Sequence, residues 1–159
     1  MGKAKKQGED AIAVNRRARH DYRIDDTVEA GLVLTGTEVK SLRDGKASLQ
    51  HAYATVRNSE VWLLQANIPE YAFGNRANHE PARERKLLLN RDEIAELEEF
   101  SREPGRTLVP LKLYWKDGKA KLLLGLASGK RQHDKRKDLA ERDAKRDVER
   151  ALAQRRKGR

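Results

Sequence analysis

The chain of 159 residues is long enough for one domain with tails and too short for two. Only 37% of its residues are hydrophobic and 5% aromatic while 38% are charged, a composition too polar for the whole chain to fold around one core. A net charge of +10 points to a polyanionic partner, and the absence of cysteine excludes a disulfide framework, a Cys-ligated zinc and thiol catalysis.

The charge is unevenly placed. Residues 1–24 hold 7 Lys/Arg against 3 Asp/Glu, residues 130–159 hold 13 against 6, and the middle, 25–129, holds 15 against 16. A near-neutral body with basic ends is expected. No apolar run approaches the length of a membrane span, and the charged start lacks the apolar stretch of a signal peptide behind it. The expectation is a soluble cytoplasmic protein.

Residues 1–10 are polar and Gly-containing and read as a disordered N-terminus. Ile12-Ala13-Val14 forms a short apolar anchor, after which Asn15 is placed to cap one short helix through Arg16-Arg17-Ala18-Arg19-His20. Tyr22 to Leu34 reads as a strand with a bulge or sharp bend at Gly31. Thr37 to Leu42 fits a helical turn, with Val39 and Leu42 on one side. Tyr53–Arg57 and Val61–Ile68 flank Asn58-Ser59-Glu60 as a hairpin, and 71–84 is a long polar loop.

Asn90, with Glu93 three residues on, caps a helix over Arg91–Phe100 whose Ile94, Leu97 and Phe100 share a face. Leu111, Leu113 and Trp115 alternate into Lys116-Asp117-Gly118-Lys119, and Ala120, Leu122, Leu124 and Leu126 alternate back, which is a hairpin with a type I′ turn. Pro110, lacking an N–H, belongs at an edge or bulge. Five or six strands and one or two short helices in this span predict a mainly β, small antiparallel barrel, though pattern alone does not separate an OB-like barrel from other small barrels.

Past Gly129 aromatics vanish. Ala140, Ala144, Val148 and Leu152 recur at helical spacing, but the stripe is too thin to hold a helix folded alone. The expected division is 1–10 disordered, 11–129 barrel, and 130–159 a basic tail, disordered alone and helical when a partner neutralises it.

Enzyme signals are weak. His20, His51, His79 and His133 are scattered without metal-ligand spacing, and Gly125–Lys130 falls one residue short of a phosphate loop, with Arg131 where its Ser/Thr would stand. The expectation is no catalytic residue, no metal and no cofactor. The basic tail reads as an RNA-binding arm whose affinity comes from counterion release. Glu29 reads as a solvent-facing strand residue or, on an RNA-binding face, as an acceptor for a base edge or ribose hydroxyl. Leu88 reads as core, unless it is the leucine of Leu87-Leu88-Leu89 that faces out, where it could stack on an unpaired base.

Five segments together resemble the SmpB family, the SsrA-binding proteins: Ala13–Tyr22, Glu29–Leu32, Gly36–Arg43, Arg83–Leu89 and Gly129–Arg136. Glu-Val-Lys-Ser-Leu-Arg, Arg-Lys-Leu-Leu-Leu and Asp-Lys-Arg in one chain make a specific combination. The resemblance implies an OB-like antiparallel barrel with short flanking helices and a C-terminal tail. It also implies that the protein binds the tRNA-like domain of transfer-messenger RNA and delivers it to stalled ribosomes for trans-translation. There the protein would stand in for the anticodon arm, while the tail enters the decoding centre and the empty mRNA channel.

By motif, the resemblance implies RNA binding at Asn15, Glu29 and Leu88. The matching segments add Arg19, Tyr22, Glu38, Lys40, Arg83, Arg85 and Lys86. Gly129, Lys130, His133, Asp134, Lys135 and Arg136 match the segment that engages the decoding region. Implied partners are transfer-messenger RNA, the ribosome and elongation factor Tu, with no membrane and a monomeric state. Ser128 departs from the pattern, which has Arg or Lys there. The other reading, carried by the basic ends alone, is a general OB-type RNA binder or small-subunit ribosome-associated protein.

Overall fold

The computed structural model describes residues 10–129 and 132–157, with side chains of the tail helix described over 142–154. Among these residues seven strands form one antiparallel sheet in the order β1-β6-β3-β4-β5-β2-β7, and a further β6–β7 pairing closes it into a barrel. The strands are β1 (Asp10–Val14), β2 (Tyr22–Leu32), β3 (Tyr53–Arg57), β4 (Glu60–Leu64), β5 (Arg85–Leu88), β6 (Arg106–Lys116) and β7 (Lys119–Gly129). Helices α1 (Ala18–Asp21), α2 (Gly36–Arg43) and α3 (Arg91–Ser101) flank the barrel, and α4 (Gln132–Lys157) follows β7. No helix among the described residues is long and apolar enough to cross a membrane.

Local signals produced the elements they predict. Asn90 accepts a hydrogen bond from the Glu93 N–H at 2.9 Å, and the Glu93 carboxylate accepts from the Asn90 N–H at 3.1 Å. This closed capping box satisfies two of the orphan donors that open α3. Asn90→Ala is expected to cost about 1 kcal/mol, read as a lower urea midpoint at unchanged slope. Asp117 and Gly118, both at positive φ, make the two-residue turn between β6 and β7, and Asn58-Ser59 do the same between β3 and β4.

Two expectations are corrected. The apolar anchor Ile12-Ala13-Val14, whose Ile12 and Ala13 pack against the core, lies in a strand that pairs with β6, Val14 opposite Lys112. Asn15 is not the cap of α1, whose N-cap residue is Arg17. Instead its amide Nδ2 donates to the Pro110 carbonyl at 3.0 Å and its N–H to the Leu111 carbonyl at 2.9 Å, because Asn15 continues the β1–β6 edge before the chain turns. The bulge in β2 lies between Ile24 and Asp26; Gly31 stays in register, opposite Lys121 of β7 and Leu88 of β5.

Pro110 does sit at a bulge, where β6 slips against β7 between Pro110 and Lys112. The slip moves Leu111 to the face opposite Leu113. Leu108, Leu113, Leu122 and Leu124 fill the barrel with Val61, Leu63 and Leu87, whereas Val109, Leu111 and Ala127 meet Ala18 of α1 in a smaller cluster outside it. Burial of both faces explains the unbroken apolar run Leu108–Leu111.

The predicted loop 71–84 holds one 3-10 turn, Asn75–Ala77, and is closely tied down. Ser41 Oγ donates to the Pro69 carbonyl at 2.6 Å, and the Ile68 N–H to the Pro81 carbonyl at 3.0 Å. Buried His79 donates from Nε2 to the Ile68 carbonyl at 2.7 Å and stands 2.8 Å through Nδ1 from Thr37 Oγ1.

Candidate nucleic-acid interface

Strand alternation decides which side chains reach the surface. In β2, Val28 and Ala30 face the core, so Glu29 and Gly31 face out; in β5, Leu87 is 1% exposed and Leu88 50%. On β6 and β7 the same parity turns Lys112, Lys116 and Lys121 outward, with Tyr114 buried beneath them on the same face. One outer face therefore carries Leu88, Glu29 and three lysines. Gly31 lies directly under Leu88, a Cβ there standing 3.4 Å from Leu88 Cβ, which is van der Waals contact. Leu88 also borders a hollow of about 370 Å³ at the barrel mouth, lined by Leu32, Leu34, Val39, Trp115 and Lys121.

Glu29 is held in place. It accepts a hydrogen bond from the buried Tyr114 hydroxyl, and Lys116 Nζ lies 3.3 Å from the same oxygen. The Tyr114 hydrogen bond, aided by Lys116 and opposed by burial, keeps its carboxyl below the usual carboxylate range. An ionised acceptor is thus presented among cations, which is the arrangement that recognises a donor edge within a phosphate-binding surface. Lys86, on the same outward parity, pairs with Glu60 at 2.8 Å.

Glu38 and Arg85 are removed from this surface, both side chains being 0% exposed. Glu38 Oε2 accepts from Arg85 Nε at 2.7 Å, and Oε1 from Arg83 Nη2 at 2.6 Å and the Thr35 N–H at 2.8 Å. Burial raises the Glu38 pKa, but the Arg83 hydrogen bond, the Thr35 N–H and the Arg85 charge outweigh it and hold the carboxyl at about 2. Arg85 spends its other donors on the carbonyls of Ala66, Arg83 and Pro81. These charges lock α2 and the 71–84 loop to the barrel and cannot touch RNA from where they are. Arg83, one third exposed, keeps one edge in solvent. Lys40 is exposed on α2 with its Nζ 5.6 Å from the Tyr71 ring centre.

The remaining candidates lie elsewhere. Tyr22 pairs with Gly129 at one end of β2, and Gly31 pairs with Leu88 at the other. At roughly 3.3 Å per residue the two ends stand about 30 Å apart. Asn15 and Tyr22 line a polar groove of about 460 Å³ with Arg17, Gln50, His51 and Tyr53, beside the point where the chain leaves the barrel toward α4, and Arg19 is exposed on α1 nearby. The residues expected to form one RNA surface thus divide between two ends of the barrel. Ser128 Oγ, at that exit, is buried without a hydrogen-bond partner among the described residues.

Lys130 lies outside the described residues, as do the side chains of His133, Asp134, Lys135 and Arg136; the backbone from Gln132 onward is helical. Sequence reasoning missed Lys112, Tyr114, Lys116 and Lys121. Their signal was present, since lysines alternating with the apolar residues of a hairpin must form an outward row.

Comparison with known proteins shows the family and the fold. The family model described as SmpB protein matches residues 12–154. The SsrA-binding protein of Thermobifida fusca is 62% identical over 96% of this chain and 95% of its own length. That of Saccharopolyspora erythraea is 59% identical over 98% of each. A chain from the solved structure "tmRNA-SmpB: a journey to the center of the bacterial ribosome" superposes with a TM-score of 0.64 at 47% identity, covering 79% of this chain and 92% of the other.

Proposed function

This chain belongs to the SmpB protein family, and from that membership we propose that it binds transfer-messenger RNA through its barrel and acts with it on the ribosome in trans-translation. The observation that carries the division of labour is the separation of the outer face with Leu88 and Glu29 from the tail exit at Tyr22 and Gly129. An RNA held at the first end leaves the tail free at the second. The barrel then stands where an anticodon arm would, with the tail in the decoding centre and vacant mRNA channel.

Selectivity needs no bond-making in this reading. A basic tail and a messenger RNA compete for one channel, so an occupied channel excludes the tail and an empty one admits it. Elongation factor Tu as a delivery partner, a monomeric state, a cytoplasmic location and the absence of catalysis belong to the same proposal. So does the division into a terminal segment 1–10, a barrel 11–129 and a tail 130–159 that orders on its partner.

The test is a salt series of binding to transfer-messenger RNA with a competitor duplex present, for the full chain and for residues 1–129. Equal, tight binding by both supports a barrel reader; loss on truncation makes the tail a plain electrostatic arm. No preference over the competitor by the full chain ends the assignment and favours a general RNA binder. Within the same assay, Glu29→Arg is expected to weaken binding about tenfold, the size of one good base-edge contact. The substitution removes the carboxylate that accepts from Tyr114 and sets a fourth cation on the face of Lys112, Lys116 and Lys121.

A further inference from the structure

An aromatic ring is displayed at the tip of the tied-down loop. Phe73 is 79% exposed, well beyond what an unpartnered phenylalanine needs to be, and its loop is too well fixed for it to fold away. The Asn78 side chain grips Tyr71 at both ends, accepting from its N–H at 2.9 Å and donating to its carbonyl at 2.7 Å, and the Gly74 N–H donates to the same carbonyl at 3.0 Å. A Cβ at Gly74 would fall 2.7 Å from Asn78 Nδ2, so only glycine lets the tip close this tightly. Tyr71 meets the Phe73 ring at 5.6 Å and 68°, an edge-to-face contact that props the ring from one side.

Two cations stand near this ring: Arg76 is exposed on the same loop and Lys40 of α2 covers the Tyr71 ring, while the exposed carboxylates Glu70 and Glu80 bracket the segment. The loop adjoins the candidate interface through α2, whose Val39 lines the Leu88 hollow and whose Lys40 lies against Tyr71. A fixed, solvent-facing aromatic flanked by cations and adjoining an RNA face is a stacking platform.

We propose that Phe73 stacks on an unpaired nucleotide of the transfer-messenger RNA, with Arg76 and Lys40 facing the flanking phosphates. This rests on the function proposed above and adds to it a second contact, on the loop rather than on the sheet.

The test uses the full chain and titrates transfer-messenger RNA across a salt series. Phe73→Ala is expected to weaken binding about tenfold, the effect of losing one stacked base, without changing the slope of log affinity on log salt, because no ion pair is lost. Phe73→Trp should retain wild-type affinity, and Phe73→Leu should be as weak as the alanine variant, since it is apolar but has no π-face. The exposed position leaves the core untouched in all three variants, and unchanged melting curves check this. Wild-type affinity in Phe73→Ala, or recovery in Phe73→Leu, overturns the proposal. So does normal RNA affinity with lost co-sedimentation with ribosomes, which would assign the ring to a ribosomal surface. Failure of the wild-type chain to prefer transfer-messenger RNA would strike the proposed function itself, and is seen in the same titration.

Discussion

Glu38→Gln is expected to destabilise the protein by about 3–5 kcal/mol, the cost of leaving a buried guanidinium without its counter-charge. Arg85 has no solvent to turn to, and a glutamine side chain keeps the shape of the contact but not the charge. The melting temperature should fall by roughly 10 °C or more. The same site sets an acid transition. Folded Glu38 titrates at about 2 against an ordinary value of 4.5. Its contribution is complete above 4.5, declines as the unfolded chain takes up the proton first, and is gone once pH falls through about 2. The lowered pKa corresponds to about 3 kcal/mol. Glu38→Gln should remove that segment of the acid slope, so a pH series of urea midpoints on both proteins is the check. A variant that melts like wild type, with the acid slope intact, would mean that the pair does not hold the fold.

The consequence reaches the RNA face. Glu38 fixes Arg83 and Arg85, and Arg85 fixes the carbonyls of Ala66 and Pro81 at the root of the loop that displays Phe73. Hydrogen exchange in Glu38→Gln should therefore quicken first at the amides of 69–84, ahead of those in β6 and β7. Buried charges here serve to aim a loop rather than to bind. A substitution at Glu38 that lowered RNA affinity would act through that loop.

Whatever depended on a few neighbouring residues was legible before the fold was known. The Asn90–Glu93 box and the Asp117-Gly118 turn are settled within a span of four residues, whereas Leu88, read as core unless it was the outward leucine of its run, needed the fold to place it at the surface. The missed or misread features needed partners far along the chain. β1 is a strand because β6 lies beside it, and Asn15 leaves its capping role because the Pro110 carbonyl, 95 residues away, takes its amide. Glu38 and Arg85 looked like surface charges because motif positions carry no burial, and their pairing spans 47 residues. The lysines of β6 and β7 were passed over because only the fold sets Glu29 and Leu88 on the same face. Phe73 was hidden in a loop of mostly polar and small residues.

Replacing Asp134, Lys135 and Arg136 together by alanine is expected to abolish rescue while leaving affinity for transfer-messenger RNA within about threefold of wild type. The charge arithmetic supports the second half: two cations and one anion are removed, a net change of one unit, so the salt slope of RNA binding should shift by less than about one. The first half follows from geometry. The helix α4 begins at Gln132, three residues past the barrel, and its 26 residues extend about 39 Å at 1.5 Å per residue. Its described side chains are exposed throughout, with Val148 60% and Leu152 45% exposed, and its ion pairs, Arg146–Asp143 at 3.6 Å and Arg150–Asp147 at 3.7 Å, are exposed (i, i+3) contacts worth a few tenths of a kcal/mol each. Such a helix buries little of its own surface, and the surroundings proposed for it are the walls of an empty mRNA channel. Asp134, Lys135 and Arg136 stand at its root, where the chain must pass from barrel to channel. Peptide tagging on a message without a stop codon measures the loss, and a titration of transfer-messenger RNA measures what is kept. Equal loss of RNA affinity here and in Glu29→Arg would contradict the two-ended design, because the tail would then be part of the RNA grip and not free to probe the channel.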